Sequence, residues 1–267
     1  MKGAASTIFL PLVVGPIPET LLKRGVVKSS TCAHVRKVGA SWTCTYSPEP
    51  ANCSIPTQGG IYVESVPMIR DASQMQDHVG GNSEWILGFN EPDGVEPYGS
   101  GIQADDAAAL WQQIEAWFPS KRLVAPSPSS AAVWDSANWV HDFRASFLSA
   151  NGRNPRLDAL NVHIYFDCAA MGIGAVSGAI EHAQEWGIPE VWVTEMGMPW
   201  TPPTTETLAQ MRQFMNWLNM EPMVTRYAWF ATYIPAGAVW YPAHWQNLSL
   251  VTEAGQLTAW GKEYVRC

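Results

Sequence analysis

Two glutamates stand where an apolar run stops and a turn-forming residue follows. Glu91 lies in Gly88-Phe89-Asn90-Glu91-Pro92-Asp93 and Glu195 in Trp192-Val193-Thr194-Glu195-Met196-Gly197. A short apolar run predicts a strand, and Pro or Gly after it stops the strand and turns the chain. A carboxylate at such a place rides on a rigid support and faces the loops, where reactive groups gather. Two carboxyl groups flanking one bond suit glycoside hydrolysis, in which one protonates the leaving oxygen while the other attacks the anomeric carbon; retention needs them about 5 to 5.5 Å apart. Taken singly, each glutamate reads equally well as a solvated loop acid. The pair becomes informative through the elements that carry it.

Strand-like runs alternate with helix-like stretches along the chain, the pattern of a parallel α/β architecture. The strand candidates are Lys23–Lys28, Ala40–Tyr46, Tyr62–Arg70, Glu84–Asn90, Arg122–Pro126, Ala159–Phe166, Glu190–Glu195 and Val224–Ala231. Eight is the number of a (β/α)8 TIM barrel, about 250 residues is its usual length, and its active site lies at the C-terminal strand ends. The chain has 267 residues. Glu91 then ends the fourth strand and Glu195 the seventh. Ala107, Leu110, Trp111, Ile114, Trp117 and Phe118 form an apolar stripe at helical spacing over Ala104–Phe118, as Leu208, Met211, Phe214, Met215 and Leu218 do over Thr204–Met220, with Thr204 or Thr205 as N-cap. The first two connections are rich in Ser, Pro and Cys, so the barrel is expected to be irregular in its first βα units. The reading is one α/β domain, residues 23–267, after an N-terminal segment 1–22 whose apolar run resembles a signal remnant or extension.

His163 and Tyr165 lie two apart on the sixth strand and share a face. Inward, they would reach the carboxylates; the alternative is a satisfied core histidine and a packing tyrosine. A metal role for His163 is disfavoured, because no second ligand stands at a useful spacing. No cofactor is expected.

The motifs resemble glycoside hydrolase family 128, within the large clan of (β/α)8 retaining glycosidases. The resemblance rests on Leu87-Gly88-Phe89-Asn90-Glu91-Pro92-Asp93, on Asn161-Val162-His163-Ile164-Tyr165 and on Trp192-Val193-Thr194-Glu195-Met196-Gly197. Lys23-Arg24-Gly25 and the closing stretch from Leu257 to Tyr264 extend it over nearly the whole chain. Met196 departs from the pattern, standing where the family usually has an aromatic. The resemblance implies a β-1,3-glucan substrate, endo action, Glu91 as acid/base, Glu195 as nucleophile and Asn90 as a hydrogen-bonding partner of the 2-hydroxyl. It also implies an aromatic floor at the end of the eighth strand, which points to Trp229 and, as a similar candidate, Trp42. Trp134, Trp200, Trp240 and Trp245 fall in presumed loops, as stacking platforms or as rim packing. The competing readings are a β-glucan-binding protein with weak or lost catalysis, and a hydrolase of another β-linked polysaccharide such as β-1,4-mannan or cellulose.

Composition narrows the partners. A net charge of −8, charged residues at only 15% and no Lys/Arg run argue against nucleic acid, and no segment approaches the ~20 apolar residues of a membrane span. A monomer binding a neutral polysaccharide is expected. Most of the 14 tryptophans are core by default. Five cysteines leave at least one thiol unpaired, with the pairing open. Together with the sequons at Asn52 and Asn247, they favour a secreted or cell-wall-associated protein.

Overall fold

A computed structural model describes residues 22–27, 31–49, 53, 62–81, 83–95, 97–129, 139–238 and 243–267. Nearly all of the N-terminal segment, Trp134, Trp240 and the Asn52 sequon lie outside these residues.

Eight parallel strands follow one another around a TIM-barrel-like ring. They are β1 (Arg24–Val27), β2 (Trp42–Cys44), β3 (Glu64–Val66), β4 (Trp85–Leu87), β5 (Arg122–Val124), β6 (Leu160–Tyr165), β7 (Val191–Gly197) and β8 (Val224–Trp229). Six of them form one sheet in the order β3-β2-β1-β8-β7-β6, and β4 pairs with β5. The two seams are held by isolated bridges, Met68 with Leu87 and Val124 with Ala159. Every strand anticipated from an apolar run is present, most of them shorter than the run. The run overestimates the strand because residues beyond each ladder stay buried at the barrel ends.

The irregularity expected early in the chain is present. Helix α1 (Cys32–Lys37) is a short one, and only a 3-10 turn, Ala72–Gln74, follows β3. Longer helices cover the rest: α2 (Ala104–Trp117), α3 (Trp139–Asn151), α4 (Ala169–Trp186), α5 (Thr205–Met220) and α6 (Ala259–Arg266). Helix α2 buries Ala107, Ala108, Trp111 and Ile114, but Trp117, expected in the same stripe, is exposed at the frayed end. Helix α5 starts at the capping box formed by Thr204 and Thr207. Cys32 and Cys53 form a disulfide, which settles the open pairing, and Cys44, Cys168 and Cys267 are free thiols.

The N-terminal end of the barrel is plugged by aromatic rings. Trp42 and Trp85 pack on Trp192, with centroids 5.5 and 4.5 Å away, and the Arg226 guanidinium lies 4.5 Å over Trp192. Arg226 pairs with Glu64 at 2.8 Å, which offsets the desolvation of a cation inside the barrel. Gly25 is required beside this plug, because a Cβ there would sit 2.2 Å from the Trp42 ring. A cavity of about 500 Å³ opens below, lined by Lys23, Trp85, Arg122, Glu190, Thr225 and Arg226. It faces away from the C-terminal strand ends.

Candidate active site

The β4 chain reaches the C-terminal face through a tight passage. At Gly88 a Cβ would meet Trp111 at 2.8 Å and the Pro126 nitrogen at 2.9 Å, so only glycine lets β4 run this close to β5. Past it, the Asn90 amide donates to Arg70 O at 2.9 Å and the Glu91 amide to Ser127 O at 2.8 Å. These bonds tie the residues to the ends of β3 and β5. Glu91 has φ +41°, the one non-glycine positive φ among the described residues. Such a conformation costs about 1 to 3 kcal/mol and persists only where neighbours impose it. Here Gly94 N and Ser100 N donate to Glu91 O at 2.9 and 3.1 Å. Asp93 holds the neighbouring loop, accepting from Ser129 N at 2.7 Å and Ser129 Oγ at 2.6 Å.

Glu195 is placed by a bulge. Strand β6 pairs Val162 with Val193 and His163 with Glu195, so Thr194 is the extra residue on β7, and the β7–β8 register shifts over the same stretch. A bulge re-aims the side chain beside it. It lets Glu195 share the barrel interior with Trp192 three residues earlier, while Thr194 donates to Asn161 Oδ1 at 2.7 Å.

The two glutamates meet around a buried imidazole. His163 Nδ1 lies 2.9 Å from Glu91 Oε1 and 3.5 Å from Glu195 Oε2, and one oxygen of each carboxylate and an imidazole nitrogen fall within 4.8 Å of one another. Tyr165 donates to Glu195 Oε2 at 2.7 Å and Tyr46 to Glu195 Oε1 at 2.5 Å. Both inward placements expected on β6 are therefore observed. Tyr46 is the residue that sequence reasoning missed. It closes the run Trp42, Cys44, Tyr46, whose alternate positions share a face.

Electrostatics in this cluster oppose one another. Burial raises the Glu195 pKa above the ordinary carboxylate range and the Glu91 charge adds to it, while His163 and the two phenol donors pull it down. Burial disfavours the charged imidazole, but Glu195, then the hydrogen bond and charge of Glu91, then Asp93, outweigh it and raise the His163 pKa. His163 Nε2 and Asn90 Oδ1 are buried with no protein partner, while Asn90 Nδ2 donates to Tyr98 O at 3.3 Å. Glu91, His163 and Glu195 are also the one set among the described residues close enough to share a cation. Their facing atoms are engaged with one another, and both Glu195 oxygens accept from phenols, an arrangement built for proton transfer.

Two expected platforms are corrected. Trp42 is buried at the opposite end of the barrel, its Nε1 donating to Lys23 O at 3.0 Å. Trp229 is fully buried, its ring against Trp260 of α6 and its Nε1 bonded to Leu248 O at 2.8 Å. Strand alternation explains the second error: Arg226 and Ala228 face the interior, so Trp229 faces the helices. The aromatic that turns inward is the next residue, Phe230, which packs on Tyr165 with centroids 6.2 Å apart. Trp245, half-buried on the 3-10 turn Ala243–Leu248, lies 4.7 Å from the Tyr165 ring and 5.5 Å from Phe230. Trp200 is 55% exposed on the segment after β7.

The family model described as glycosyl hydrolase catalytic core matches residues 25–264. Among solved structures, the chain is similar to a family 128 subgroup I endo-β-1,3-glucanase from Amycolatopsis mediterranei in complex with laminaritriose. Identity is 25%, the TM-score 0.69, and the match covers 92% of this chain and 99% of the other. A subgroup II endo-β-1,3-glucanase from Pseudomonas viridiflava matches at 27% identity and TM-score 0.69, covering 91% and 97%. A subgroup VII oligosaccharide-binding protein from Cryptococcus neoformans shares the fold at 22% identity and TM-score 0.69, covering 92% and 93%. No curated protein matches by sequence.

Proposed function

The chain belongs to the glycosyl hydrolase catalytic core family, and on that premise we propose that it is a retaining endo-β-1,3-glucanase. The observation that carries the mechanism is the approach of the facing Glu91 and Glu195 oxygens to within 4.8 Å. That approach fits the about 5 to 5.5 Å of retaining enzymes and falls short of the roughly 6.5 to 9.5 Å that leaves room for an inverting water. The substrate and the endo action rest on the likeness to the Amycolatopsis and Pseudomonas enzymes.

Glu195 attacks the anomeric carbon as the C–O bond breaks, and Glu91 protonates the departing oxygen. His163 Nδ1 lies 2.9 Å from Glu91 Oε1, within reach for a proton to pass between them. In the second half a water, deprotonated by Glu91, displaces Glu195. Tyr46 and Tyr165 hold the nucleophile's two oxygens at fixed positions throughout. Asn90, with an unpaired Oδ1, is the hydroxyl-binding group at the cleaved sugar. Trp245 takes the platform role that the sequence suggested for Trp229, and Trp200 serves an outer sugar.

The test compares wild type, Glu91→Gln and Glu195→Gln on laminarin and on β-1,4-glucans. Hydrolysis of laminarin by the wild type alone, with oligosaccharide binding kept in both variants, supports the reading. Binding without products from all three makes the chain a binding protein instead. A product of inverted anomeric configuration by NMR refutes the nucleophile role, and release of monosaccharide alone from the start refutes endo action. The Cys32–Cys53 disulfide favours an oxidising compartment. We propose that the protein acts outside the cell, and as a monomer, checked by its recovery from culture medium and by light scattering.

A further inference from the structure

The supports of the two glutamates converge on one short segment after β3. The main-chain oxygen of Arg70 accepts from Asn90 N at 2.9 Å, immediately before Glu91. Arg70 Nη2 reaches Pro97 O at 3.1 Å and Gly99 O at 3.3 Å, on the loop that returns over Glu91. At Gly99 that loop lies so close to Glu91 O that a Cβ would sit 2.4 Å from it. An Asp71 carboxylate 2.6 Å from Arg70 Nη1 keeps the guanidinium extended. On the other side, Gln74 Oε1 accepts from Arg70 N at 2.8 Å while Gln74 Nε2 donates to Tyr46 O at 3.1 Å. Tyr46 in turn holds Glu195 Oε1. A continuous path thus runs from the loop over Glu91 through Arg70 and Gln74 to the phenol on Glu195.

We propose that Arg70 and Gln74 form a shared brace, positioning residues that set the separation of the two carboxylates from the end of β3. The proposal rests on the glycosidase reading for its effect on turnover, but the brace itself exists in the free protein. One amide side chain serves both halves: its oxygen accepts from the Arg70 main-chain N–H and its nitrogen donates to the Tyr46 main-chain oxygen. The loss of either half lets one carboxylate drift relative to the other. A misplacement of this kind lowers the rate of the chemical step without removing contacts to the sugar.

The test has two arms. In turnover, Gln74→Ala should lower kcat by about tenfold, on the scale of a lost buried hydrogen bond, with KM within about twofold. Placed in a Tyr46→Phe background, it should cost less than about twofold more, because residues acting through one path are not additive. Multiplying effects, or a lower melting temperature with unchanged kcat, overturn the brace. In the free protein, the Tyr46 hydroxyl proton on its 2.5 Å bond should give a downfield proton resonance, assigned by its absence from Tyr46→Phe. That resonance should shift or vanish in Gln74→Ala. It should do the same in Gln74→Glu, which keeps the acceptor for Arg70 and loses the donor to Tyr46. A resonance unmoved in the folded variants, or absent from the wild type, overturns the proposal without bearing on the glucanase reading. An inactive wild type with the expected shifts leaves the brace standing and sinks the enzyme.

Discussion

Replacing Tyr46 with Phe removes one oxygen and leaves the ring, so it isolates the bond to the nucleophile. Tyr46 donates to Glu195 Oε1 at 2.5 Å, and Glu195 is only 5% exposed, so water cannot readily take the donor's place. A hydrogen bond to a charged group contributes about 1.5 to 3 kcal/mol. Its loss raises the nucleophile's pKa, because the phenol bonds the carboxylate better than the acid. The sign follows from the chemistry: Glu195 must be an anion to attack, and a lost donor favours the protonated form. The acid limb of kcat/KM, which reports the free enzyme, should therefore move to higher pH. Below the limb the rate falls about tenfold to a hundredfold, and above it the variant approaches wild type. Because Glu195 and His163 lie 3.5 Å apart, the shift belongs to that pair. The assay is laminarin hydrolysis over pH 4 to 9, followed by reducing ends. An unmoved acid limb in a folded, active variant refutes the claim that Tyr46 keeps the nucleophile charged.

Stability should also carry the signature of the cluster. The His163 pKa is raised in the folded protein, so its contribution is full below about pH 6.5 and lost as the pH rises through the folded value. The melting temperature should fall over that window, and His163→Gln should make the fall shallower, as a scan across pH detects. In Gly99→Ala the new Cβ would press on Glu91 O at 2.4 Å and on Gly94 at 2.5 Å, backbone in both cases. Overpacking of that kind costs about 1 to 3 kcal/mol; urea unfolding should show the loss and kcat should fall with it. Trp245→Ala, made in the Glu91→Gln background so that ligand is not consumed, should weaken laminari-oligosaccharide binding about two- to tenfold, the scale of one aromatic contact. Titration calorimetry reads that change, and unaltered affinity would remove Trp245 from the cleft.

What could be read from the sequence divides along the range of the interactions. Apolar runs located all eight strands, because burial on both faces leaves a local signature. Glu91 and Glu195 were legible for a similar reason: each lies beside its own strand stop. His163 and Tyr165 needed only the two-residue period. The errors arose where layer and face decide. Trp42, Cys44 and Tyr46 share a face, but Trp42 belongs to the indole plug and only Tyr46 reaches the carboxylates. Trp229 and Phe230 differ by one position, and the register of β8 against β7 sends the larger ring outward. The Tyr46–Glu195 bond spans 149 residues, and no pattern in either segment announces it. The brace was hidden more deeply, since it uses main-chain atoms of Arg70 and Tyr46 that every residue type possesses.

The backbone at Glu91 carries a consequence for how such a protein changes. At φ +41° a side chain is a liability, and glycine would occupy the same turn with about 1 to 2 kcal/mol less strain. Glu91→Gly would trade that relief against the partner it removes from the buried His163 Nδ1, 2.9 Å away, and should lose turnover with the nucleophile, its phenols and the aromatic corner left in place. The step from hydrolase to sugar-binding protein is then a single replacement in which the relaxed turn offsets part of the cost of the orphaned imidazole.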